Sequence, residues 1–404
     1  MLVLGAGIVG LTSAWALRQR GCEVTVIDQG EPGSGATGGN GAQLSYAYVQ
    51  PLADPGLWAQ LPKLLLEHDS PLRWRPSLDT AQWAWCLRFL LACRRSVSQQ
   101  TTRELLALAA ESRAGYARLW PQLDAPCDTS TTGKLVLYPN AASMAAAQTQ
   151  LRLQRSLGCE QQALSPAECV AVEPALAGYS GPWVGGIHTP GEGAVDGAAL
   201  CQALHRLLKR QGVRFVLGHA VTRLHTGAGG ITSVVTRDGL YSADAVVIAL
   251  GAESARLASR HGWHLPVYPL KGYSVTLPAH GRAAPQVNVT DLSRKVVFAR
   301  LGERLRVAGM VEIAGHQTEI DPARIASLLD STRRAFPDLS IDPQGPVQPW
   351  AGLRPATPTG RPITGRWRGA PVNLWFNTGH GALGLTLAMG SAERLARLMT
   401  NSEA

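Results

Sequence analysis

The chain begins with a glycine-rich turn set between a short apolar segment and a helical pattern. The turn reads GAGIVG over residues 5–10, the apolar segment is Leu2–Leu4, and the helical pattern covers residues 8–20. A second strand is predicted over residues 23–28. A strand, a glycine-rich turn, a helix and a second strand in this order predict the βαβ unit that opens a Rossmann-like, doubly wound sheet.

The glycines of this turn predict a dinucleotide site. Gly5 permits the tight turn, Gly7 lets the backbone approach a pyrophosphate, and Gly10 lets the helix pack closely on the strand. The start of the helix offers unpaired N–H groups and the positive end of the helix dipole to the phosphates. Asp28 lies 18 positions after Gly10, where an acid binds ribose hydroxyls and repels a 2′-phosphate. The pattern therefore disfavours NADP.

Two further glycine-rich segments favour a flavin dinucleotide over a nicotinamide one. The loop at residues 33–45 follows Asp28 closely enough to run along the same ligand. Residues 377–386 form a second glycine-rich turn that opens a helix. The start of that helix would stabilise negative charge on a reduced flavin ring. A plain helix cap has the same pattern, so the second turn supports a flavin site only when it is taken together with the first turn.

Composition excludes several other classes of protein. A chain of 404 residues, 45% of them apolar, has room for two or three domains and is not disordered. The seven cysteines form no CxxC and no paired spacing, which predicts reduced thiols and a cytoplasmic location. The net charge of +9 is spread along the chain, so no nucleic-acid partner is expected. We expect no metal site.

The alternation of strands and helices at both ends of the chain predicts an α/β fold interrupted by a second domain. We expect a Rossmann-like FAD-binding domain interleaved with an α+β substrate domain, whose mixed or antiparallel sheet carries extra helices. The FAD-binding segments are predicted at residues 1–57, 190–264 and 346–404, and the substrate-binding segments at residues 58–189 and 265–345. Residues 58–123 are predicted to be mainly helical.

Four stretches of the sequence resemble one known family of enzymes. They read LGAGIVGLTSAWAL with VTVID near the start, YPLKGYSVTLP in the middle, and AGLRPATPTGRPITG and LWFNTGHGALGLTLAMGS near the end. Together they resemble the FAD-dependent amine-oxidising family that includes glycine, sarcosine and D-amino acid oxidases. Within that family the likeness is greatest to the small-subunit type of bacterial D-amino acid dehydrogenase. The resemblance covers essentially the whole chain.

The resemblance implies which residues hold the cofactor and the substrate. It places FAD against Gly5, Gly7, Val9, Gly10, Asp28, Thr37, Asn40, Gly41, Gln43, Leu44, Val221, Gly251, Gly379, His380, Gly381, Gly384, Leu385 and Thr386. It pairs the substrate carboxylate with Arg354 and adds a hydrogen bond from Tyr273. Tyr48 and Tyr46 are further candidates for shaping the pocket. His380 is either a proton carrier or a neighbour of the flavin ring.

Relatives of the sarcosine type tether FAD through a cysteine near the arginine strand. Residues 350–355 read WAGLRP here and include no cysteine, so we expect non-covalent FAD. The guanidinium of Arg354 presents its donors in a fixed planar fork, which suits an α-carboxylate better than a lysine ammonium does. The sequence around Arg354 is also poor in acids.

The resemblance further implies a reaction. It is the oxidation of a small D-amino acid, D-proline-like or another, by hydride transfer to flavin N5, which gives a 2-oxo acid and ammonia. The electrons would pass to a respiratory acceptor, a quinone or a carrier protein. Three alternatives stay open, namely an oxygen-using amine oxidase of the glycine or sarcosine type, an FAD-dependent RNA-modifying enzyme and a non-catalytic flavin-binding subunit.

Residues 81–95 carry aromatic and cationic side chains within the stretch predicted to be mainly helical. They include Trp83, Trp85, Phe89 and Leu90 together with Arg88, Arg94 and Arg95. Such a segment is typical of helices that lie in a lipid interface, which would place the protein on the inner face of the plasma membrane. The opposite interpretation is that these aromatic residues pack under the substrate domain.

Overall fold

The computed structural model describes residues 1–56, 72–155, 158–281, 283–341 and 346–401. The helices are α1 (Ile8–Arg18), α2 (Thr80–Ala92), α3 (Arg95–Leu119), α4 (Ala141–Arg155), α5 (Pro166–Val172), α6 (Gly197–Arg210), α7 (Glu253–Ser259), α8 (Pro322–Ala335) and α9 (Gly384–Thr400). Single 3-10 turns lie at Trp120–Gln122, Pro174–Leu176 and Gly381–Leu383.

The strands are β1 (Leu2–Leu4), β2 (Thr25–Asp28), β3 (Gln43–Leu44), β4 (Leu72–Trp74), β5 (Lys134–Tyr138), β6 (Gln162–Leu164), β7 (Gly185–Thr189), β8 (Gly193–Ala194), β9 (Arg214–Leu217), β10 (Val221–Gly227), β11 (Gly230–Thr236), β12 (Leu240–Tyr241), β13 (Val246–Ile248), β14 (Tyr268–Pro278), β15 (Asn288–Asp291), β16 (Val296–Leu301), β17 (Arg304–Ile313), β18 (Gln348–Ala356), β19 (Ile363–Gly365) and β20 (Leu374–Thr378).

A six-stranded sheet is built around the first glycine-rich turn. Its order is β19-β20-β13-β1-β2-β9, and each neighbouring pair is parallel except β19 with β20. Val3 packs in the core on one face of β1, and Leu2 and Leu4 pack in the core on the other, as strand alternation requires. Helices α1, α6 and α9 cover the first face, while α7 and the antiparallel sheet β10-β11-β12 cover the second.

A larger mixed sheet forms the second part of the molecule. Its order is β18-β14-β17-β16-β15-β5-β7-β6, with β4 added beside β17. Neighbours are antiparallel except β15 with β5 and β17 with β4. Helices α5 and α8 contribute Cys169 and Leu328 to the apolar core on one face of this sheet. Together with the six-stranded sheet, this arrangement confirms the predicted fold class.

Close packing of α3 against α9 fixes where the second glycine-rich turn lies. A Cβ on Gly390 would come within 2.5 Å of the Leu108 carbonyl oxygen, so the two helices approach at a position that only glycine allows. Near the start of α9, the Tyr116 hydroxyl donates to the Leu385 carbonyl at 2.8 Å. Ser112 likewise donates to the Thr386 carbonyl at 2.5 Å. The N-terminus of α9 is therefore held at a fixed place.

Helix α2 contains most of the segment predicted to face lipid, and the structure buries two of its aromatic side chains. Trp85 and Phe89 are 3% and 8% exposed and pack with Tyr268 and Leu270 of β14, so these two aromatics belong to the core. Trp83 is 49% exposed on the other side of the helix. The three arginines of the segment are exposed, namely Arg88, Arg94 and Arg95. The covered and exposed faces both carry large apolar side chains.

The predicted helical stretch at residues 58–123 differs in part from the structure. Residues 57–71 lie outside the described residues, Leu72–Trp74 is a strand, and the remainder contains α2 and α3. The division into two interleaved domains stays a prediction. Within its third FAD-binding segment, β18 pairs with β14 of the larger sheet. In the described parts of the chain, no helix combines the length and the apolar character needed to cross a bilayer.

Candidate cofactor and substrate site

A cavity of about 1050 Å³ joins the first glycine-rich turn to the strand that carries Arg354. Most of the predicted site residues line it. They are Gly5, Gly7, Val9, Asp28, Thr37, Asn40, Gly41, Gln43, Tyr48, Val221, Gly251, Tyr273, Arg354, His380, Gly381, Gly384, Leu385 and Thr386. Gly10, Leu44, Tyr46 and Gly379 are not among the lining residues.

The glycine turn places the start of α1 at the cavity. A Cβ on Gly10 would lie 1.9 Å from the Gly5 carbonyl oxygen, so glycine is required there for the helix to follow the strand. Gly5 has a φ of +113°, which also favours glycine. The helix has no side-chain cap, and Ile8 N–H donates to Thr37 Oγ1 at 3.2 Å. The other N–H groups of its first turn lack partners within the helix.

Asp28 closes this turn from the side of β2. One of its oxygens accepts from Ala6 N–H at 2.6 Å, and the other accepts from Gly30 N–H at 2.8 Å. Burial raises the pKa of Asp28, while these backbone hydrogen bonds oppose that rise. A carboxylate has about four acceptor positions. Both oxygens therefore retain the capacity to accept from ribose hydroxyls.

The loop after β2 is held between strand β17 and helix α9. Arg306 of β17 donates to the Gly38 carbonyl at 3.1 Å and to the Asn40 carbonyl at 2.9 Å. At the other end, Ser45 N–H donates to Thr386 Oγ1 of α9 at 3.1 Å. These contacts fix the loop backbone along the wall of the cavity, between the starts of α1 and α9.

His380 precedes α9 and is neutral. Its Nε2 lies 2.9 Å from Ser391 Oγ, whose own proton is donated to the Ala388 carbonyl. Ser391 Oγ therefore accepts, and Nε2 carries the proton. Nδ1 is left as a buried acceptor without a partner among the described residues. Complete burial lowers the pKa of His380 to about 3, so the ring is a neutral hydrogen-bond acceptor rather than a cation.

Arg354 is a partly buried cation that no carboxylate neutralises among the described residues. It lies on β18 opposite Leu270. Its Nη1 donates to the Met310 carbonyl at 2.8 Å, and a Cβ on Gly272 would come within 2.3 Å of Nη2. Burial lowers the pKa of Arg354 to about 10, which keeps it charged at neutral pH. Its remaining donors are available to an anion in the cavity.

Tyr273 occupies a different position from the one that the resemblance implies. Its hydroxyl donates to Glu312 Oε2 at 3.1 Å, and Glu312 also pairs with Arg324 of α8 at 3.0 Å. The alternation of β14 directs Tyr273 to the opposite face from Gly272, over which the Arg354 guanidinium lies. The structure does not bring the Tyr273 hydroxyl together with Arg354.

A buried lysine beside Tyr48 was missed by sequence reasoning. Lys134 Nζ lies 4.2 Å from the centre of the Tyr48 ring and donates to Ser45 Oγ at 2.8 Å. Glu192 accepts from the Ala47 and Tyr48 N–H groups. Burial lowers the pKa of Lys134 to about 8 and raises that of Glu192. No sequence signal pairs this lysine with the distant loop, because they meet only through the folding of β5.

Tyr46 lies away from the cavity. It packs against the core of the six-stranded sheet, and the Arg113 guanidinium lies 5.8 Å from its ring centre. Burial raises the pKa of Tyr46 well above its ordinary value. The ring is thus placed to support the neighbouring loop rather than to touch a ligand.

These features fit an extended flavin dinucleotide. The cavity runs between two helix starts that have no side-chain caps, and such ends attract phosphate and other negative charge. The partnerless Nδ1 of His380 offers an acceptor to a donor group. No cluster of His, Cys, Asp or Glu suited to a metal ion occurs in the described residues.

Comparison with known proteins identifies the relatives of this chain. The family model described as FAD dependent oxidoreductase matches residues 1–398. A protein named D-amino acid dehydrogenase 2 from Ralstonia nicotianae is 46% identical over 98% of this chain and 95% of its own length. A protein of the same name from Pseudomonas aeruginosa is 45% identical over 98% of this chain and 93% of its own length.

Solved structures share the fold. Glycine oxidase from Bacillus cereus superposes with a TM-score of 0.76 at 20% identity, over 100% of this chain and 95% of that chain. L-proline dehydrogenase from P. horikoshii gives a TM-score of 0.73 at 18% identity, over 99% of this chain and 93% of that chain. At these identities the likeness concerns the fold alone.

Burial of neutral His380 predicts a pH dependence of stability. The unfolded chain takes up a proton as the pH falls through 6.5, whereas the folded chain does so only near 3, so stability falls as the pH drops through this interval. Between pH 6.5 and 4.5 the loss is about 2 to 3 kcal/mol. We expect His380→Gln, which retains a donor to Ser391, to remove this part of the loss in urea unfolding. Equal losses in both proteins would contradict this account.

Proposed function

Because the chain belongs to the family of FAD-dependent oxidoreductases, we propose that it is a D-amino acid dehydrogenase. The reaction oxidises the substrate to an imino acid, which water then converts to a 2-oxo acid and ammonia. The names of its relatives support this substrate class. The observation that carries the proposal is the partly buried Arg354, which has no carboxylate partner among the described residues and lines the same cavity as the dinucleotide turn.

Arg354 is proposed to bind the substrate carboxylate. Its planar fork matches a carboxylate bidentately, and burial strengthens the attraction between the two charges. With the carboxylate fixed, the substrate Cα has one orientation in the cavity. The chemistry that bound FAD would supply is acceptance of the hydride that leaves Cα. The substrate amine must be neutral so that its lone pair can assist the departure of the hydride. Orientation of the substrate therefore matters more than a strong side-chain base.

The remaining residues are proposed to hold FAD. The start of α1 would bind the pyrophosphate, Asp28 the ribose, and the start of α9 the negative charge of the reduced ring. Neutral His380 would accept a hydrogen bond. FAD is proposed to bind without a covalent bond, since no cysteine is found among the described residues that line the cavity.

A respiratory acceptor, a quinone or a carrier protein, is proposed to take the electrons at the inner face of the plasma membrane. Helix α2 supports this proposal, because Trp85 and Phe89 line the cavity while Trp83, Leu87 and Leu91 are exposed. This exposed side, together with the adjacent cations Arg88, Arg94 and Arg95, is called the α2 patch. One helix thus joins the cavity to a surface suited to anionic lipid.

The substrate class is tested by flavin bleaching without oxygen. We expect small D-amino acids to bleach the flavin absorbance, L-amino and N-methyl amino acids to leave it unchanged, and a quinone analogue to restore it. In air, little hydrogen peroxide should form. Bleaching by N-methyl amino acids or glycine with rapid peroxide formation would instead indicate an amine oxidase.

The non-covalent binding of FAD is tested by acid precipitation. The flavin should be released into the supernatant, and colour retained in the pellet would contradict non-covalent binding.

Replacement of Arg354 tests the carboxylate anchor. We expect Arg354→Ala to raise KM strongly and to lower kcat/KM about 100-fold, about 3 kcal/mol, because a charged hydrogen-bond pair is lost. Arg361→Ala is the matched control, since Arg361 is exposed and pairs with Glu104 on the surface. Steady-state kinetics on both variants make the comparison. An Arg354→Ala enzyme with the wild-type KM would remove Arg354 as the anchor.

The α2 patch is tested by sedimentation with anionic vesicles. Leu87 and Leu240 are 61% and 63% exposed but lie on different parts of the molecule. We expect Leu87→Glu to weaken binding about tenfold through lost apolar contact and added negative charge, and Leu240→Glu to leave it unchanged. High salt should weaken wild-type binding. Absence of binding at low and high salt would reject the membrane proposal.

A further inference from the structure

Strand β17 contains an extra residue opposite Gly272. Lys271 of β14 pairs with Glu312 and Tyr273 pairs with Gly309, so the single residue Gly272 faces two residues of β17. This is a β-bulge, in which the ladder is interrupted and the bulged residue is released from regular pairing. The two residues in the bulge are Met310 and Val311.

Met310 has an unusual backbone conformation at this bulge. Its φ is +63°, in the left-handed region that side chains other than Asn, Asp and Gly seldom adopt. Unlike Asn or Asp, methionine has no short polar side chain that could stabilise this conformation by a local hydrogen bond. Residues held in such conformations by surrounding structure are concentrated at functional sites, so the contact that Met310 makes is informative.

The released carbonyl of Met310 is directed to Arg354. It accepts from Nη1 at 2.8 Å, and this is the one hydrogen bond that the Arg354 side chain donates within the described residues. The guanidinium lies against the backbone of Gly272, where a Cβ would come within 2.3 Å of Nη2. The bulge thus supplies an acceptor on one side, and the missing side chain of Gly272 supplies the space on the other.

We propose that Met310 is a positioning residue, whose left-handed backbone orients Arg354 for the substrate carboxylate. The proposal rests on the proposed function of Arg354 as the anchor. With Nη1 held by a carbonyl rather than by a carboxylate, the guanidinium is fixed in direction and keeps its full charge. The remaining donors of the fork are then presented to the cavity without a competing anion.

The test compares two isomeric side chains at position 310 in the FAD-loaded enzyme. Met310→Leu has a γ-branched side chain and tolerates the left-handed backbone about as well as methionine. Met310→Ile has the same number of carbons but is β-branched, which makes this backbone conformation strongly unfavourable. We expect Met310→Leu to retain the wild-type KM within about twofold and Met310→Ile to raise KM about tenfold, with a smaller change in kcat. Met310→Gly should retain a KM close to that of Met310→Leu.

A double-mutant cycle with Arg354→Lys separates positioning from a purely structural role. If Met310 acts through the guanidinium, the difference in KM between Met310→Leu and Met310→Ile should disappear in the Arg354→Lys background. Binding of a simple carboxylate such as propionate, followed by the flavin spectrum, should show the same pattern without turnover. Equal KM values for Met310→Leu and Met310→Ile, or a difference that persists in Arg354→Lys, would overturn the proposal.

Two further comparisons distinguish a folding failure of Met310→Ile from a failure of Arg354 as the anchor. If Met310→Ile does not give folded holoenzyme, Met310→Val against Met310→Ala repeats the β-branched comparison with smaller side chains. If Arg354→Lys alone leaves KM and propionate binding unchanged, the anchor itself fails, which is a failure of the proposed function rather than of the positioning role.

Discussion

A partly buried guanidinium without a carboxylate partner among the described residues is the feature around which the cavity is organised. An uncompensated charge away from water is unfavourable unless hydrogen bonds or a ligand offset the loss of hydration. Arg354 receives a backbone carbonyl from Met310 and a space left by Gly272, yet no neutralising acid among the described residues. The strongest remaining source of compensation is an anionic ligand, and the proposed carboxylate substrate would provide it between β14, β17 and β18.

The two helix starts at the cavity wall also favour a negatively charged ligand. Both helices begin there without side-chain caps, so each presents the positive end of its dipole. Three acids also line the cavity, namely Asp28, Glu31 and Glu253. Of these, Asp28 is held by two backbone N–H groups beside the first of these helices. A dinucleotide with a negative pyrophosphate and hydroxyl-bearing ribose matches this pattern of charge along the cavity.

Local sequence patterns predicted the parts of the site that depend on local geometry. The turn at residues 5–10, the strand that ends at Asp28 and the helix after residue 381 each follow from spacing within about ten residues. The family resemblance added Arg354, which no local pattern distinguishes from a surface arginine. The fold class followed from the alternation of strands and helices at the two ends of the chain.

Features set by strand pairing were beyond prediction from sequence. The bulge at Met310 changes the register of β17, and only the observed pairing shows that Tyr273 points toward Glu312. In α2, Trp85 and Phe89 have the same helical spacing as Trp83 and Leu87. Periodicity therefore gives two apolar faces, and only tertiary contacts show which one is covered.

A crystal structure of the FAD-loaded enzyme with a D-amino acid under anaerobic conditions would show whether Arg354 receives the substrate carboxylate. We expect a bidentate contact between the carboxylate and the Arg354 guanidinium, at about 2.7 to 2.9 Å, with the Met310 carbonyl still bonded to Nη1. A carboxylate bound to Lys134 instead, with Arg354 free of ligand, would contradict this expectation.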